Sequence, residues 1–213
     1  MYKNLVELFE ENEGKGAVGA FNLHCFEMLP SMIHAAEELQ VPIIIQTSLG
    51  TAEYIGFEPL IAAVKALAEK SSISVCLHMD HCKSVQALKK AIDLGYSSVM
   101  YDGSSLPMEE NIKNTKEVVA YARAHHVSVE GEIGAIGGAE EGVVVAQNEA
   151  AYTKPEDALY YVCLLYTSSG ISWNRYRWIL PASMWILNLK PASAVSLRTA
   201  AADIAPSSTV RAS

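Results

Sequence analysis

No run of apolar residues in this 213-residue chain is long enough to cross a lipid bilayer. The longest run, WILPASMWILNL, has about twelve residues with a proline inside it, whereas a spanning helix needs about twenty. The amino-terminal stretch also lacks the basic and apolar segments of a signal peptide. We therefore expect a cytoplasmic protein that does not bind a membrane.

Positive charge is scarce as well. The chain has 16 Lys and Arg against 24 Asp and Glu, for a formal net charge of −8. A negative surface does not attract nucleic acid, so we expect no nucleic-acid partner. The four cysteines form no C-x-x-C pair and predict reduced thiols rather than a disulfide framework.

The glycine-rich loops of nucleotide-binding proteins are also missing, because neither G-x-G-x-x-G nor G-x-x-x-x-G-K-[ST] opens a predicted helix. The chain instead alternates short β-branched runs with helical patterns. The runs span 17–23, 41–48, 73–80, 97–104 and 127–134. Nearly continuous apolar strands predict a parallel sheet that is buried on both faces. A doubly wound open sheet and a (β/α)8 barrel both fit this pattern.

Polar residues at the carboxyl ends of all five predicted strands favour the barrel. They are Asn22, Ser48, Asp80 with His81, Asp102, and Glu132. In a barrel, the carboxyl ends of every strand meet at one mouth, where active sites are built. In an open sheet, only the strands beside the switch point would need such residues. The sequence therefore predicts an α/β protein, a (β/α)8 TIM barrel of which about the first five βα units are present.

The segment LHMDH places an acid next to an imidazole at the end of the third strand. A buried Asp–His pair can be purely structural, but five polar strand ends in register favour a functional site. His81 is then a candidate metal ligand and Asp80 a candidate acid or base. His78 is expected to pack behind them. Glu130 and Glu132 are two residues apart and so should face the same side, as a cation site requires.

A glycine-rich segment at 134–151 follows the fifth strand and contains Glu140 and Glu141. Its glycines predict a mobile flap that could bring a carboxylate over the mouth of the barrel. The alternative is an ordinary acidic surface loop, although loops of this length are uncommon without a role.

Six segments together resemble one enzyme family: GAFNLHCFE, VPIIIQTSLGT, LHMDH, SVMYDGSSLPMEENI, VSVEGEIGAIGGAEEG and AYTKPEDA. They are similar to the class II, zinc-dependent ketose-bisphosphate aldolases, which include fructose-1,6-bisphosphate and tagatose-1,6-bisphosphate aldolases. The resemblance extends from about residue 1 to 162, with the motifs in family order. It implies a barrel, bound Zn²⁺, a phosphorylated ketose substrate, and a homo-oligomer for the full-length enzyme.

The resemblance also implies a set of metal ligands. His81 matches a zinc ligand, and Asp102 and Glu132 match carboxylates that hold or exchange metal near the site. Zinc that polarises the C2 carbonyl would stabilise the enediolate of aldol cleavage without a Schiff-base lysine.

Other residues match groups that handle protons or substrate. Asp80 matches the aspartate that moves the proton of the C4 hydroxyl, and Glu140 matches the flap glutamate that acts on the dihydroxyacetone-phosphate carbon. Asn22 and Ser48 match polar groups that contact the substrate. The choice between fructose and tagatose bisphosphate depends on pocket shape and stays open.

The composition changes after residue 162. Residues 163–213 contain five bases and one acid, and they hold all three tryptophans, so the first 162 residues carry a net charge of −12. The helix that begins near residue 153 is expected to end near 162. We predict two parts, a partial aldolase barrel at 1–162 and an unrelated tail at 163–213 produced by a frameshift or chimeric sequence. A divergent native ending and a partner-binding tail are the alternatives.

The missing units are those where the family places its other two zinc histidines and its phosphate-binding segments. The chain as written is therefore expected to be an inactive fragment of a zinc aldolase. One alternative is a non-catalytic structural subunit of an aldolase complex, although such a subunit need not keep Asp80 and His81. Another is a different metal-dependent barrel enzyme, such as a hydrolase, but the His-x-His expected after its first strand is missing.

Overall fold

The computed structural model describes residues 1–134, 138–140, 143–145 and 153–167. By its internal contacts the chain divides into two compact units, residues 1–132 and 133–213. The predicted sheet and all but one of the predicted site residues lie in the first unit.

The first unit contains a five-stranded parallel sheet whose strand order is the same as the chain order. Its strands are β1 (Gly19–Asn22), β2 (Ile43–Thr47), β3 (Val75–Cys82), β4 (Ser98–Tyr101) and β5 (Ser128–Gly131). Its helices are α1 (Leu5–Glu11), α2 (Met28–Leu39), α3 (Leu49–Ile55), α4 (Phe57–Lys70), α5 (Val85–Leu94) and α6 (Met108–Ala124). The strands alternate with helices, as predicted, and together they form part of a TIM-barrel fold.

Local sequence signals set the ends of several helices. Asn4 and Glu7 form a reciprocal capping box at the start of α1. The Ser84 hydroxyl accepts a hydrogen bond from the Ala87 amide at the start of α5. Gly95 follows the end of α5 with φ of 112°, a conformation that favours glycine. The Ser84 cap starts α5 at Val85, just after the carboxyl end of β3 at Cys82.

The core lies between the sheet and its helices. Residues 75–79 of β3 are all buried, as expected for a strand with a neighbour on each side. Tyr96, which precedes β4, packs edge-on against Phe57 of α4 with ring centroids 6.1 Å apart. Its hydroxyl lies 2.8 Å from the Thr47 hydroxyl of β2, so this buried polar group is satisfied inside the core.

Strand β3 contains an irregularity at the point where its polar residues begin. Met79 is opposite Val99 and Cys82 is opposite Tyr101, so two residues of β3 face a single residue of β4. This is the arrangement of a β-bulge, which can re-aim side chains next to an active site. The sequence predicted that the strand would end at residue 80, whereas it continues through the bulge to Cys82.

The second unit contains a short antiparallel pair, β6 (Gly138–Glu140) with β7 (Val143–Val145), and a helix, α7 (Pro155–Thr167). The pair falls within the segment predicted to be a flap. Helix α7 extends five residues past the end predicted from the sequence, so that part of the prediction was wrong. The boundary at 162 stays a prediction, and residues 168–213 lie outside the described part of the chain. No helix within the described ranges is long and apolar enough to cross a membrane.

Candidate metal and proton-transfer site

Three predicted ligands come together where β3, β4 and β5 end. His81 lies in the bulge of β3, Asp102 directly follows β4, and Glu132 directly follows β5. The His81 Nδ1 atom is 3.7 Å from Asp102 Oδ2 and 3.3 Å from Glu132 Oε2. One ligand atom from each residue lies within 4.8 Å of the other two. All three side chains are largely buried.

The chemistry of this donor set fits a zinc ion. Imidazole nitrogen and carboxylate oxygen are both ordinary zinc ligands, and a catalytic zinc site commonly has three protein ligands. The two carboxylate oxygens of Asp102 contact different groups. Its Oδ1 accepts hydrogen bonds from the Ser104 amide at 3.1 Å and hydroxyl at 2.6 Å. Its Oδ2 faces His81.

Charge within the trio favours a bound cation. The pKa of His81 is raised to about 9, mainly by its hydrogen bond with the Asp102 carboxylate. Partial burial opposes this shift, and the negative charges of Asp80 and Glu132 add to it. Burial works to raise the pKa of Asp102, but hydrogen bonds from His81 and Ser104 hold it at about 2. A metal ion that binds here would replace the imidazole proton as the positive charge between the carboxylates.

Asp80 lies beside the trio but has a different set of contacts. Its Oδ2 accepts a hydrogen bond of 2.6 Å from the Gln46 amide, which also donates to Asn22 Oδ1 at 2.8 Å. Its Oδ1 is 3.6 Å from the Nε2 atom of His81. The carboxylate is therefore held in a fixed orientation next to the metal-ligand candidates, as a proton-transfer group should be.

His78 and Glu130 form a buried pair behind Asp80. The Nδ1 atom of His78 is 2.8 Å from the Ser98 hydroxyl, and its Nε2 atom is 3.5 Å from Glu130 Oε2 and 3.8 Å from Asp80 Oδ1. Burial, with a smaller effect from His81, lowers the pKa of His78 to about 3. Burial, together with the charge of Asp80, raises the pKa of Glu130 to about 8. Both groups are therefore mainly uncharged at neutral pH.

The remaining predicted site residues have other surroundings. The Ser48 hydroxyl caps α3 by accepting a hydrogen bond from the Thr51 amide at 3.2 Å. Asn22 reaches the site through its bond with Gln46. The backbone of Glu140 lies in β6, while its side chain and the whole of Glu141 are outside the described part of the structure. Substrate contact by Ser48 and Asn22 and proton transfer by Glu140 stay predictions.

Sequence reasoning missed Gln46 and Lys83. Gln46 lies inside an apolar strand, two residues before the predicted end of that strand. A polar residue at such a position is a signal that could have identified it. Lys83 follows the LHMDHC segment, and its Nζ atom is 3.9 Å from Asp102 Oδ2. A lysine at the start of a predicted helix gives no signal, since most lysines in that position are solvated.

The sequence pattern of one protein family matches most of the chain. The family is described as fructose-bisphosphate aldolase class-II, and the match covers residues 3–168. The chain belongs to this family. The match begins before the first strand and ends one residue past α7, so it includes every element described above.

Curated relatives of this chain are named for different sugar substrates. The chain is 43% identical over 150 residues to a 6-phospho-5-dehydro-2-deoxy-D-gluconate aldolase of Shouchella clausii, covering 69% of this chain and 50% of that protein. It is 44% identical over 156 residues to a fructose-bisphosphate aldolase of Giardia intestinalis, covering 73% and 47%. The chain thus spans about half the length of the relatives that it matches.

A solved aldolase structure shares the fold. The YdjI aldolase from Escherichia coli K12 superposes with a TM-score of 0.66 at 30% sequence identity, covering 78% of this chain and 57% of that one. The five-stranded sheet with alternating helices therefore corresponds to part of the aldolase barrel.

Proposed function

We propose that this chain carries the metal-binding and proton-transfer half of a zinc-dependent class II aldolase. The reaction is reversible cleavage of fructose 1,6-bisphosphate, or of tagatose 1,6-bisphosphate, to dihydroxyacetone phosphate and glyceraldehyde 3-phosphate. The observation that carries the proposal is the convergence of His81, Asp102 and Glu132 next to an oriented Asp80.

His81, Asp102 and Glu132 would hold the zinc ion through one nitrogen and carboxylate oxygens. When bound, zinc supplies Lewis-acid polarisation of the substrate carbonyl, which stabilises the negative charge that develops during carbon–carbon cleavage. The burial of the three side chains limits competition from water and so strengthens their hold on a cation.

Asp80 takes the proton from the C4 hydroxyl as the C3–C4 bond breaks, and returns it in the condensation direction. The Gln46 amide fixes Oδ2 and thereby sets the direction in which the carboxylate faces. The buried His78–Glu130 pair supports Asp80 from behind. Glu140, from the β6–β7 segment, is proposed to move the proton on C1 of the dihydroxyacetone-phosphate half.

The resemblance places the family's other two zinc histidines, and the segments that bind the substrate phosphates, in units beyond the five described above. We therefore expect the 213-residue chain to bind zinc weakly and to show no measurable cleavage. The two curated relatives are named for different sugars, so substrate choice must be measured.

The test uses a full-length enzyme in which residues 1–162 are joined to the remaining units of a characterised relative. His81→Ala should lose zinc and activity together, since it removes the only imidazole of the trio. Asp80→Ala should keep zinc but lower kcat by roughly 10²–10⁴, because it removes only the proton transfer. Glu140→Ala should keep zinc and slow exchange of the dihydroxyacetone-phosphate proton with solvent.

Zinc content, cleavage rate and proton exchange are measured together in the three variants and the parent. Loss of zinc from Asp80→Ala would show that this residue is a ligand rather than a base. Exchange at the parent rate in Glu140→Ala would remove it from the mechanism. A parent that binds zinc but cleaves neither a ketose bisphosphate nor 6-phospho-5-dehydro-2-deoxy-D-gluconate would favour the structural-subunit alternative.

A further inference from the structure

Lys83 lies at the edge of the proposed metal site. It follows the last residue of β3 and precedes Ser84, the cap of α5. Its Nζ atom is 3.9 Å from Asp102 Oδ2, and about half of its side chain is exposed to solvent. The Asp102 carboxylate that it reaches is only 9% exposed.

The oxygen that Lys83 approaches is the one available to a metal. Asp102 Oδ1 is already engaged by the amide and hydroxyl of Ser104. Asp102 Oδ2 faces His81 Nδ1 at 3.7 Å and is the oxygen on the side of the trio. A lysine ammonium and a metal ion would therefore compete for the same carboxylate oxygen.

We propose that Lys83 sets the metal affinity of the site by competing with the metal ion for Asp102 Oδ2. The inference rests on the proposed metal site formed by His81, Asp102 and Glu132. In the metal-free chain the Lys83 ammonium neutralises part of the negative charge at Asp102. When a divalent cation binds, the ammonium must move into solvent, where its long flexible stem and exposed position can take it.

Two electrostatic costs follow for the metal ion. To bind Asp102 Oδ2, the metal ion must first displace the Lys83 ammonium, so the lost contact between Lys83 and Asp102 offsets part of the attraction. It is also repelled, more weakly, by the displaced ammonium, because the side chain of Lys83 stays tethered beside the site. A half-exposed lysine is screened and mobile, so we expect the combined effect to weaken zinc binding by about tenfold.

Zinc titration of the 213-residue chain at fixed pH, by competition with a chromogenic chelator, tests the inference. Lys83→Met keeps the apolar stem and removes the charge, so it should bind zinc about tenfold more tightly than the parent. Lys83→Arg keeps the charge and should bind as weakly as the parent. Lys89→Met is the matched control, since Lys89 lies on α5 and pairs with Glu117 at 2.8 Å on the surface.

Salt provides a second readout that a merely structural role would not move. The difference between parent and Lys83→Met should shrink as ionic strength rises from about 0.05 M to about 0.5 M, because salt screens the half-exposed ammonium far more than the largely buried ligands. His81→Ala, titrated alongside, reports whether the zinc occupies the proposed site.

The outcomes separate the two proposals. If the parent binds zinc through His81 and Lys83→Met binds no more tightly, the role of Lys83 is wrong while the metal site stands. If His81→Ala binds zinc as tightly as the parent, the proposed metal site is wrong and the inference fails with it. The same holds if neither the parent nor the Lys83 variants bind zinc. Equal tightening in Lys89→Met would show a general charge effect and would also overturn the role of Lys83.

Discussion

His81 adopts a backbone conformation that residues with a β-carbon rarely occupy. Its φ is 103°, whereas most L-residues avoid positive φ because of steric clashes. Such strain persists only where the surrounding structure imposes it, and it concentrates at functional sites. Here it coincides with the bulge in β3. The consequence is that Asp80 and His81, adjacent in sequence, reach the same cluster instead of opposite faces of the sheet.

Two substitutions at this position separate the backbone strain from the loss of the imidazole. Both His81→Gly and His81→Ala remove the ring and its contacts, but only glycine tolerates φ of 103° without a steric penalty. His81→Gly should therefore be more stable than His81→Ala by about 1–3 kcal/mol in the free energy of urea-induced unfolding. Equal stabilities, measured with a chelator present, would show that the position is not strained.

The buried Glu130 makes the stability of the metal-free chain depend on pH. Burial raises its pKa from the ordinary value of 4.5 to about 8. Between these two values the folded chain holds a proton that the unfolded chain has released. The free energy of unfolding should therefore fall as pH rises from 4.5 towards 8, and the contribution is fully present only below 4.5.

Glu130→Gln removes this titration and keeps the shape of the side chain. From pH 5 to pH 8, the parent should lose about 3 kcal/mol more stability than the variant, measured by urea unfolding in the presence of a chelator. His81, whose pKa is raised from 6.5 to about 9, acts in the same direction in both proteins and so largely cancels from the difference. Parallel pH profiles for the two proteins would contradict this assignment.

At the scale of secondary-structure elements, periodicity and polar strand ends predicted the sheet and the strand ends where the candidate metal ligands lie. The five strands were recognisable because each is a short apolar run followed by a helical pattern, and their ends carry Asp102 and Glu132 as expected. The bulge was not predictable, because it depends on the register between β3 and β4 rather than on the residues of β3 alone. Gln46 was missed for a related reason, since its partner Asp80 lies on the next strand.

Strand β2 and the segment before β4 are joined by the buried hydroxyl pair of Thr47 and Tyr96. Tyr96→Phe should lower the free energy of unfolding by about 1 kcal/mol, because the Thr47 hydroxyl then lacks its buried partner. Thr47→Val should cost a similar amount, and the double variant should cost less than the sum of the two. Strict additivity in a double-mutant cycle would show that the two hydroxyls do not interact.

At the scale of the whole molecule, the first 162 residues and the remainder differ in charge and composition. The family match extends to residue 168 and α7 ends at Thr167, a few residues beyond the boundary predicted from composition. The match includes the strands and helices that build the candidate site, while the chain covers about half the length of the two relatives named above. Oligomer formation by a full-length protein stays a prediction.

Limited proteolysis should distinguish the two parts of the chain. Trypsin should cut first at the basic residues beyond 167, namely Arg175, Arg177, Lys190, Arg198 and Arg211. Residues 1–132 should resist at the same enzyme concentration, because their backbone is engaged in the sheet and its covering helices. Mass spectrometry of the early fragments gives the positions of the cuts. A tail as resistant as the first 132 residues would mean that the ending is a native part of the fold.

Each strand of the sheet pairs with the strand made just before it, and the first residues of successive strands are separated by 24, 32, 23 and 30 positions. A strand that leaves the ribosome therefore finds its partner already synthesised, with only a short loop to close. The sheet can grow by one unit at a time during translation, as short-range contacts favour rapid folding. A change of reading frame near codon 162 would thus reach a nascent chain whose first five strands have already paired.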